Sequence, residues 1–283
     1  MKYIFLAGIL WGTIGIFVNE LSALSVSVQF MSLLRMSFAF VIMFIISAIK
    51  HGKKIFILDK RVIFLCALLG LVCHGVFNIC YSTSIKLNGV GTAAVLMYSA
   101  PVFTAAACRI LFHESFSGTK IFALILNIFG CVLTVTGGNF TSNNNISLMG
   151  ILAGVGSGFC YGMVAIIGKL AGEKTDSMII SAYSYFFAMI FLFVFARPEI
   201  IISKKILTLG FLYGLIPTSL AYLLYYMGLG KIQDVSRAPV VASIEPVTAV
   251  ITGLIIYNEV IGAANFIGAL FVLASIIIIV RLR

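Results

Sequence analysis

YSTSIKLNGVGTAAVLMYSAPVFTAAACRILFHE, residues 81–114, and YMGLGKIQDVSRAPVVASIEPVTAVITGLIIYNE, residues 226–259, together decide how this chain folds. Set side by side at a constant offset of 145, they agree at nine of 34 positions without a gap. Tyr81 meets Tyr226, Lys86 meets Lys231, Val90 meets Val235, Pro101 meets Pro246 and Glu114 meets Glu259. A shorter echo joins LAGILWG at 6–12 to GSGFCYG at 156–162, at an offset of 150. There Gly8 meets Gly158, Trp11 meets Tyr161 and Gly12 meets Gly162. A shorter loop around 196–205 absorbs the difference between the two offsets. The chain is one unit written twice.

Composition says what kind of unit it is. Of 283 residues, 61% are hydrophobic and 10% charged, with a mean hydropathy of +1.16. A water-facing surface cannot be built from so few charges, so most of the surface must face lipid. About 20 apolar residues cross a bilayer as a helix, and ten such segments are predicted: 3–19, 28–49, 62–85, 90–112, 119–137, 147–170, 178–196, 206–229, 236–257 and 262–280. The first resembles a signal peptide, but its echo in the sixth argues that it stays in the protein. The expected fold is all-α, a polytopic membrane protein with ten transmembrane helices.

Charge then orients the helices. A net charge of +10 would suit a nucleic-acid binder, but the basic residues sit at segment ends. With the N-terminus inside, fourteen basic residues fall on the cytoplasmic side: Lys2, Lys50, Lys53, Lys54, Lys60, Arg61, Arg109, Lys120, Lys169, Lys174, Lys231, Arg237, Arg281 and Arg283. Four fall outside, Lys86, Arg197, Lys204 and Lys205. Both termini are therefore expected in the cytoplasm. The connections are short, and the uncharged NFTSNNNIS at 139–147 reads as an outer linker. No connection is long enough for a soluble catalytic domain.

Each half holds five helices, an odd number, so the second half must insert upside down relative to the first. An inverted-topology repeat is the architecture of many secondary transporters, because two opposed halves can exchange conformations and open a shared site to either side in turn. Duplication that merely builds a stable bundle, or a channel, remains the alternative.

Several residues are candidates for a site. Pro101 and Pro246 fall near the centres of the fourth and ninth helices, where each deprives a carbonyl (Met97, Ala242) of its usual donor. Such breaks point to a transporter's binding region, or serve only the shape of the bundle. Gly150, Gly154, Gly158 and Gly162 form one groove on the sixth helix, and Gly8 and Gly12 repeat it on the first. Close helix packing is the expected role, with a sliding contact the alternative. His74, Asn78, Tyr81 and Ser82 share a face of the third helix, and Ser219, Tyr222 and Tyr226 a face of the eighth, with Tyr225 adjacent. Tyr98 lies beside Pro101, and Ser157 and Tyr161 lie on the sixth helix. Tyr81 and Tyr226 also suit interfacial anchoring. The substrate-cavity candidates are Trp11, His74, Asn78, Tyr81, Tyr98, Tyr161, Tyr222 and Glu245.

Glu245 sits ten residues into a helix of about 22. A charge at that depth costs roughly 2.5–3.5 kcal/mol, so it must be protonated, paired or in water. Arg35 and His74, also inside spans, are possible partners. Either Glu245 donates to a carbonyl freed by the break, or it exchanges a proton or meets a substrate ammonium during transport. Arg35 could neutralise it, bind a substrate carboxylate or snorkel, so Glu245 and Arg35 are the coupling candidates. Glu114 and Glu259 are expected to cap helix ends. Cys66, Cys73, Cys80, Cys108, Cys131 and Cys160 lie in apolar segments without a C-x-x-C pair and read as packing residues. No catalytic residue, metal site or cofactor is expected.

Trp11-Gly12 on the first helix, Leu34-Arg35 on the second, the repeated proline-to-glutamate spacing (Pro101 to Glu114, Pro246 to Glu259) and Gly268 carry a resemblance over nearly the whole chain. The chain resembles a ten-helix member of the drug/metabolite transporter superfamily with two EamA-type repeats, 1–139 and 146–283. Ala123, where the first half would carry the equivalent of Gly268, departs from the pattern. The resemblance implies a central cavity lined by helices 1, 3, 4, 6, 8 and 9, and export of amino acids or related metabolites. It places the protein in the plasma (inner) membrane of a prokaryote. Expected partners are a small-molecule substrate and the lipid bilayer, with no nucleic acid, and the chain is expected to act as a monomer. The competing readings are a channel-like pore, a lipid-linked sugar flippase and a membrane-embedded enzyme. The last needs a convergent catalytic set such as H-E-x-x-H, and the sequence contains none.

Overall fold

The computed structural model describes residues 1–138, 147–195 and 203–282. Most of the NFTSNNNIS linker, Arg197 and Arg283 lie outside them. Among the described residues the secondary structure is entirely helical and forms ten apolar spans. Spans 1 and 2 are Lys2–Ser22 and Val28–His51. Gly89, at φ 83° and ψ 163°, turns the chain between span 3 (60–88) and span 4 (90–111). Spans 5 to 10 are Gly118–Thr136, Leu148–Gly172, Ser177–Phe195, Lys204–Leu229, Arg237–Tyr257 and Ala263–Arg281.

Local chemistry explains where these helices start. A free first-turn amide needs an acceptor. Ser27, Asp59, Ser117, Ser147, Asp176 and Ser203 supply one to the amides of Phe30, Arg61, Lys120, Gly150, Met178 and Ile206. The ends are matched too. His113 and Asn258, mates in the repeat, both take the left-handed conformation at φ 53° and 51°. The following glutamate amides donate back to Cys108 and Gly253 carbonyls at 3.3 and 3.2 Å, again mates.

The prolines do more than kink their helices. Span 4 stops at Met97 and restarts at Ala100, and span 9 stops at Ala242 and restarts at Ile244. Pro101 and Pro246 then stand in the first turn of the second piece, where a missing N–H leaves no acceptor unsatisfied. Two π-helical stretches, Leu69–Val76 in span 3 and Gly214–Leu220 in span 8, were not expected from sequence. They too start at the 145 offset. In span 8 the cause is Pro217, which interrupts the helical ladder, and the Thr218 hydroxyl donates to the Tyr213 carbonyl at 2.9 Å. Span 1 has its own break at Thr13, whose hydroxyl donates to the Leu10 carbonyl at 2.7 Å.

Packing follows the repeat. Span 1 lies on span 9 as span 6 lies on span 4, span 3 meets span 7 as span 8 meets span 2, and span 5 pairs with span 10. That mapping is what a pseudo-two-fold axis in the membrane plane produces. The glycines make it possible. Gly8 is pressed on the Ala242 carbonyl and Gly158 on those of Leu96 and Met97, so each broken helix is covered by a glycine of the other repeat position. Gly12 meets Glu245 and Thr248, and Gly162 meets Ala100 and Thr104. Gly130 and Gly268 let spans 5 and 10 touch backbone to backbone. Ile125, Phe129, Phe193, Ile255 and Phe266 are exposed around the perimeter, as a lipid-facing surface requires. The six cysteines are free and lie within the packing.

Both termini lie at one end of the bundle: the Arg237 guanidinium donates to the Leu282 carbonyl at 2.6 Å and Lys231 to the Tyr3 hydroxyl at 3.4 Å. This terminal end carries a charged cluster. Lys120 bridges Glu114 at 3.2 Å and Asp234 at 2.6 Å, and Arg237 holds the other Asp234 oxygen at 2.6 Å. Burial pulls the Asp234 pKa upward, but hydrogen bonds from Lys120 and Arg237 outweigh it, and the net shift is well below the usual carboxylate value.

Two stability predictions follow from this packing. Gly158→Leu should cost about 1–3 kcal/mol through overpacking, whereas Gly15→Ala, with nothing within 4 Å of an added methyl, should be neutral or slightly stabilising. Thermal unfolding of both variants in detergent would check this. Because the folded pKa of Asp234 is depressed, its contribution is present above the unfolded value of about 3.9 and is lost as pH falls through the folded one. The melting-temperature gap between wild type and Asp234→Asn should therefore narrow on acidification below about pH 4.

Candidate functional site

The two helix breaks face one another across a small cavity lined by Tyr98, Ala100, Pro101, Tyr161, Pro239 and Ser243. At its edge the Tyr161 hydroxyl on span 6 donates to a Glu245 carboxylate oxygen on span 9 at 2.9 Å. The broken helix aims this carboxylate. Glu245 is the second residue of the restarted piece, so its side chain leaves the helix where the backbone has just been interrupted.

Aromatic rings continue the site from span 6 through span 1 to span 8. Trp11 stands edge-on to Tyr161 at 5.9 Å and to Tyr222 at 4.9 Å, with Tyr225 at 5.1 Å. His74 is edge-on to Tyr222 at 4.8 Å and lies 5.8 Å from Tyr185. Tyr185 donates to the Thr218 carbonyl at 3.1 Å, inside the π-helical stretch of span 8. Tyr81 stacks on Phe77 at 5.7 Å, and Phe77 borders Tyr161 at 6.1 Å. Trp11, Tyr161, Tyr222, Glu245, Tyr98, His74 and Tyr81 thus form one connected group drawn from spans 1, 3, 4, 6, 8 and 9.

Polar atoms in this group and on the same spans or span 2 stand without protein partners. Trp11 Nε1, His74 Nε2, Arg35 Nε, Ser219 Oγ and Tyr226 OH are buried and unpaired. Such atoms are costly to leave unsatisfied, and a solute or water entering the cluster would find donors there. Arg35 lies over the Tyr213 ring at 5.4 Å. Among the described residues no carboxylate pairs with it.

Several placements differ from those predicted. Neither Arg35 nor His74 pairs with Glu245; its partner is Tyr161. His74 meets the Tyr222 and Tyr185 rings, and Asn78 has other partners. Asn78 instead accepts from Ser32 at 2.7 Å, donates to the His74 carbonyl at 2.6 Å, and lines a separate groove with Val28, Gln29 and Ser82. Tyr226 is 1% exposed and packs on Gly168, so it is no interfacial anchor. Tyr185 and Tyr213 were not among the predicted residues, since no repeat or motif marks them in the sequence. The serine of the span 9 break, Ser243, is held by Asn127 of span 5 at 2.5 Å, and Asn127 also reaches Ser275 of span 10 at 2.9 Å.

A ten-span helical bundle of two inverted halves, with paired helix breaks around a central polar cluster, is the fold of a membrane transporter. Comparison with known proteins names the family. The EamA-like transporter family model matches residues 1–136 and again 148–281, and the chain belongs to that family within the drug/metabolite transporters. An uncharacterized transporter of Archaeoglobus fulgidus is 27% identical over 276 residues, covering 97% of this chain and 94% of its own. The uncharacterized inner membrane transporter YicL of Salmonella typhimurium is 25% identical over 285 residues, covering 99% and 94%. A solved structure, described only as the crystal structure of a protein, superposes with a TM-score of 0.82 over 98% of this chain and 94% of its own, at 14% identity, and shows the same fold.

Trp11 is the one tryptophan of the chain and only 3% exposed, so tryptophan fluorescence, excited selectively over the tyrosines, reports on this cluster alone. Its emission should be blue-shifted and poorly quenched by acrylamide in folded protein. Tyr222→Ala, which removes the ring 4.9 Å away, should raise the quenching constant about two- to threefold in a folded variant, because truncating a buried aromatic leaves a cavity.

Proposed function

We propose that this protein moves a small organic solute across the plasma (inner) membrane of a prokaryote by alternating access, with no chemical reaction on the solute. The observation that carries the reading is the cavity between the two broken helices, lined from both halves and bordered by the Tyr161–Glu245 pair. A site at mid-depth between opposed repeats can be exposed to either side by rocking one half against the other. The family membership supports transport.

The substrate class we favour is amino acids or related metabolites, exported from the cell. Glu245 would receive a substrate ammonium or exchange a proton, and unpaired Arg35 would receive a carboxylate. Trp11, Tyr161 and Tyr222 would form an apolar wall whose ring edges discriminate shape. Tyr98, Tyr81 and His74 complete the lining on this reading, while Asn78 belongs to the neighbouring groove. The repeat units 1–139 and 146–283 are the moving halves, the terminal end faces the cytoplasm, and one chain suffices.

Purified protein in liposomes, loaded with a panel of radiolabelled amino acids and metabolites between about pH 5.5 and 8, tests this directly. Saturable, trans-stimulated flux is expected. Glu245→Gln should lower that flux at least about tenfold, the effect of losing one charge-assisted contact, or abolish its pH dependence. Unsaturable flux without counter-transport would instead make the protein a pore. A folded Glu245→Gln variant with unchanged flux and pH profile would remove the carboxylate from the mechanism.

A further inference from the structure

A perfect two-fold would make the two ends of the bundle equivalent, and they are not. Glu114 and Glu259 occupy matched positions, each after a left-handed residue and each with its amide tied back to a matched carbonyl. Their carboxylates behave differently. That of Glu114 is 9% exposed and crosses from the end of span 4 to the start of span 9, accepting the Val235 amide at 2.6 Å, the Ser236 amide at 3.4 Å and Lys120 at 3.2 Å. The repeat offset makes Val90 and Gly91 the matched amides for Glu259. Glu259 lies instead against Gly253 of its own helix and is exposed. Val90 is 64% exposed where its mate Val235 is 1% exposed. Spans 4 and 9 are therefore clasped at the terminal end and parted at the other.

We infer that Glu114 and Glu259 are alternating latches on the two mouths of the pathway. In the state seen here Glu114 holds the terminal end shut. In the exchanged state Glu259 takes the Val90 and Gly91 amides and Glu114 releases those of Val235 and Ser236. The breaks at Tyr98–Ser99 and Ser243 serve as hinges that let the outer pieces of spans 4 and 9 swing about the fixed centre. The latches are unequal in strength. Lys120, Asp234 and Arg237 buttress Glu114, whereas their repeat mates are Asn265, Gly89 and Thr92, none of them charged. The terminal-end latch is the stronger, so the state closed at that end predominates at rest.

This inference rests on the alternating-access reading, but its test needs no substrate. Val90→Cys and Val235→Cys would be made singly in a Cys80→Ser background, since Cys80 is the one native cysteine not fully buried. Both retain the backbone amides. Labelling rates with a membrane-impermeant maleimide would be measured in nanodiscs. Glu114→Ala should speed labelling at Val235→Cys about tenfold or more, the effect of losing charge-assisted hydrogen bonds, and slow it at Val90→Cys. Lys120→Gln should move both rates in the same directions by less. Adding Glu259→Ala to Glu114→Ala should return both rates toward wild type. Faster labelling at Val235→Cys with Val90→Cys unchanged would mean a local helix cap and overturn the inference, as would no change at either. Opposed changes in a protein that carries no solute would leave the latches standing and remove the transport reading.

Discussion

Pro101 and Pro246 each interrupt a helix at mid-span, where no water is at hand to satisfy the freed backbone. Everything else in the bundle accommodates that constraint. Each break is covered by a helix from the other repeat position, and the cover works only because the covering residue is glycine. Any Cβ at Gly8 or Gly158 would fall on the carbonyls at the break. The glycine groove, the broken helix and the inverted duplication are therefore one device made twice. It leaves a polar, irregular backbone at the centre of an apolar protein, which is where Glu245 and the aromatic cluster are found.

The charges divide between that centre and the terminal end. Glu114, Lys120, Asp234 and Arg237 form a network in which each ion has an opposite partner, so burial is tolerated. Glu245 and Arg35 have no such partner. A protein that needed only stability would pair them or replace them, because a lone charge in a span is costly. They stand single, beside the unpaired His74 and Trp11 ring nitrogens, and on the proposed reading this leaves the centre open to a polar solute. The charges are paired at the terminal end, while the matched positions at the far end, Asn265, Gly89 and Thr92, are uncharged.

The spans were legible because about twenty apolar residues between charged or polar ends leave few other options. The inverted architecture was legible from arithmetic: two repeats of five. The glycine groove and the proline breaks were readable as places of close approach and interruption. The site was only half legible. Trp11, Tyr161 and Tyr222 were found through the repeat and helical spacing, but spacing assumes an ideal helix. The π-helical stretch 69–76 breaks that assumption, and no residue in it announces it. Glu245 took Tyr161 as its partner rather than Arg35 or His74, since composition names the charges in the spans but not the distances among them. Glu114 read as an end cap because the amides it binds lie 121 and 122 residues away.

Sequence alone determined the number of helices, their inversion, and the depth of the breaks. These depend on local apolarity, on proline chemistry and on counting, none of which needs long-range contacts. Tertiary structure decided which charges pair, which tyrosines meet Trp11, and at which end of the bundle spans 4 and 9 are joined by a glutamate. The two glutamates show why. Glu114 and Glu259 have the same residue type, the same turn and the same offset. One is buried on the Val235 amide and the other is exposed, because the distance between the ends of two spans belongs to the packed bundle and not to either segment.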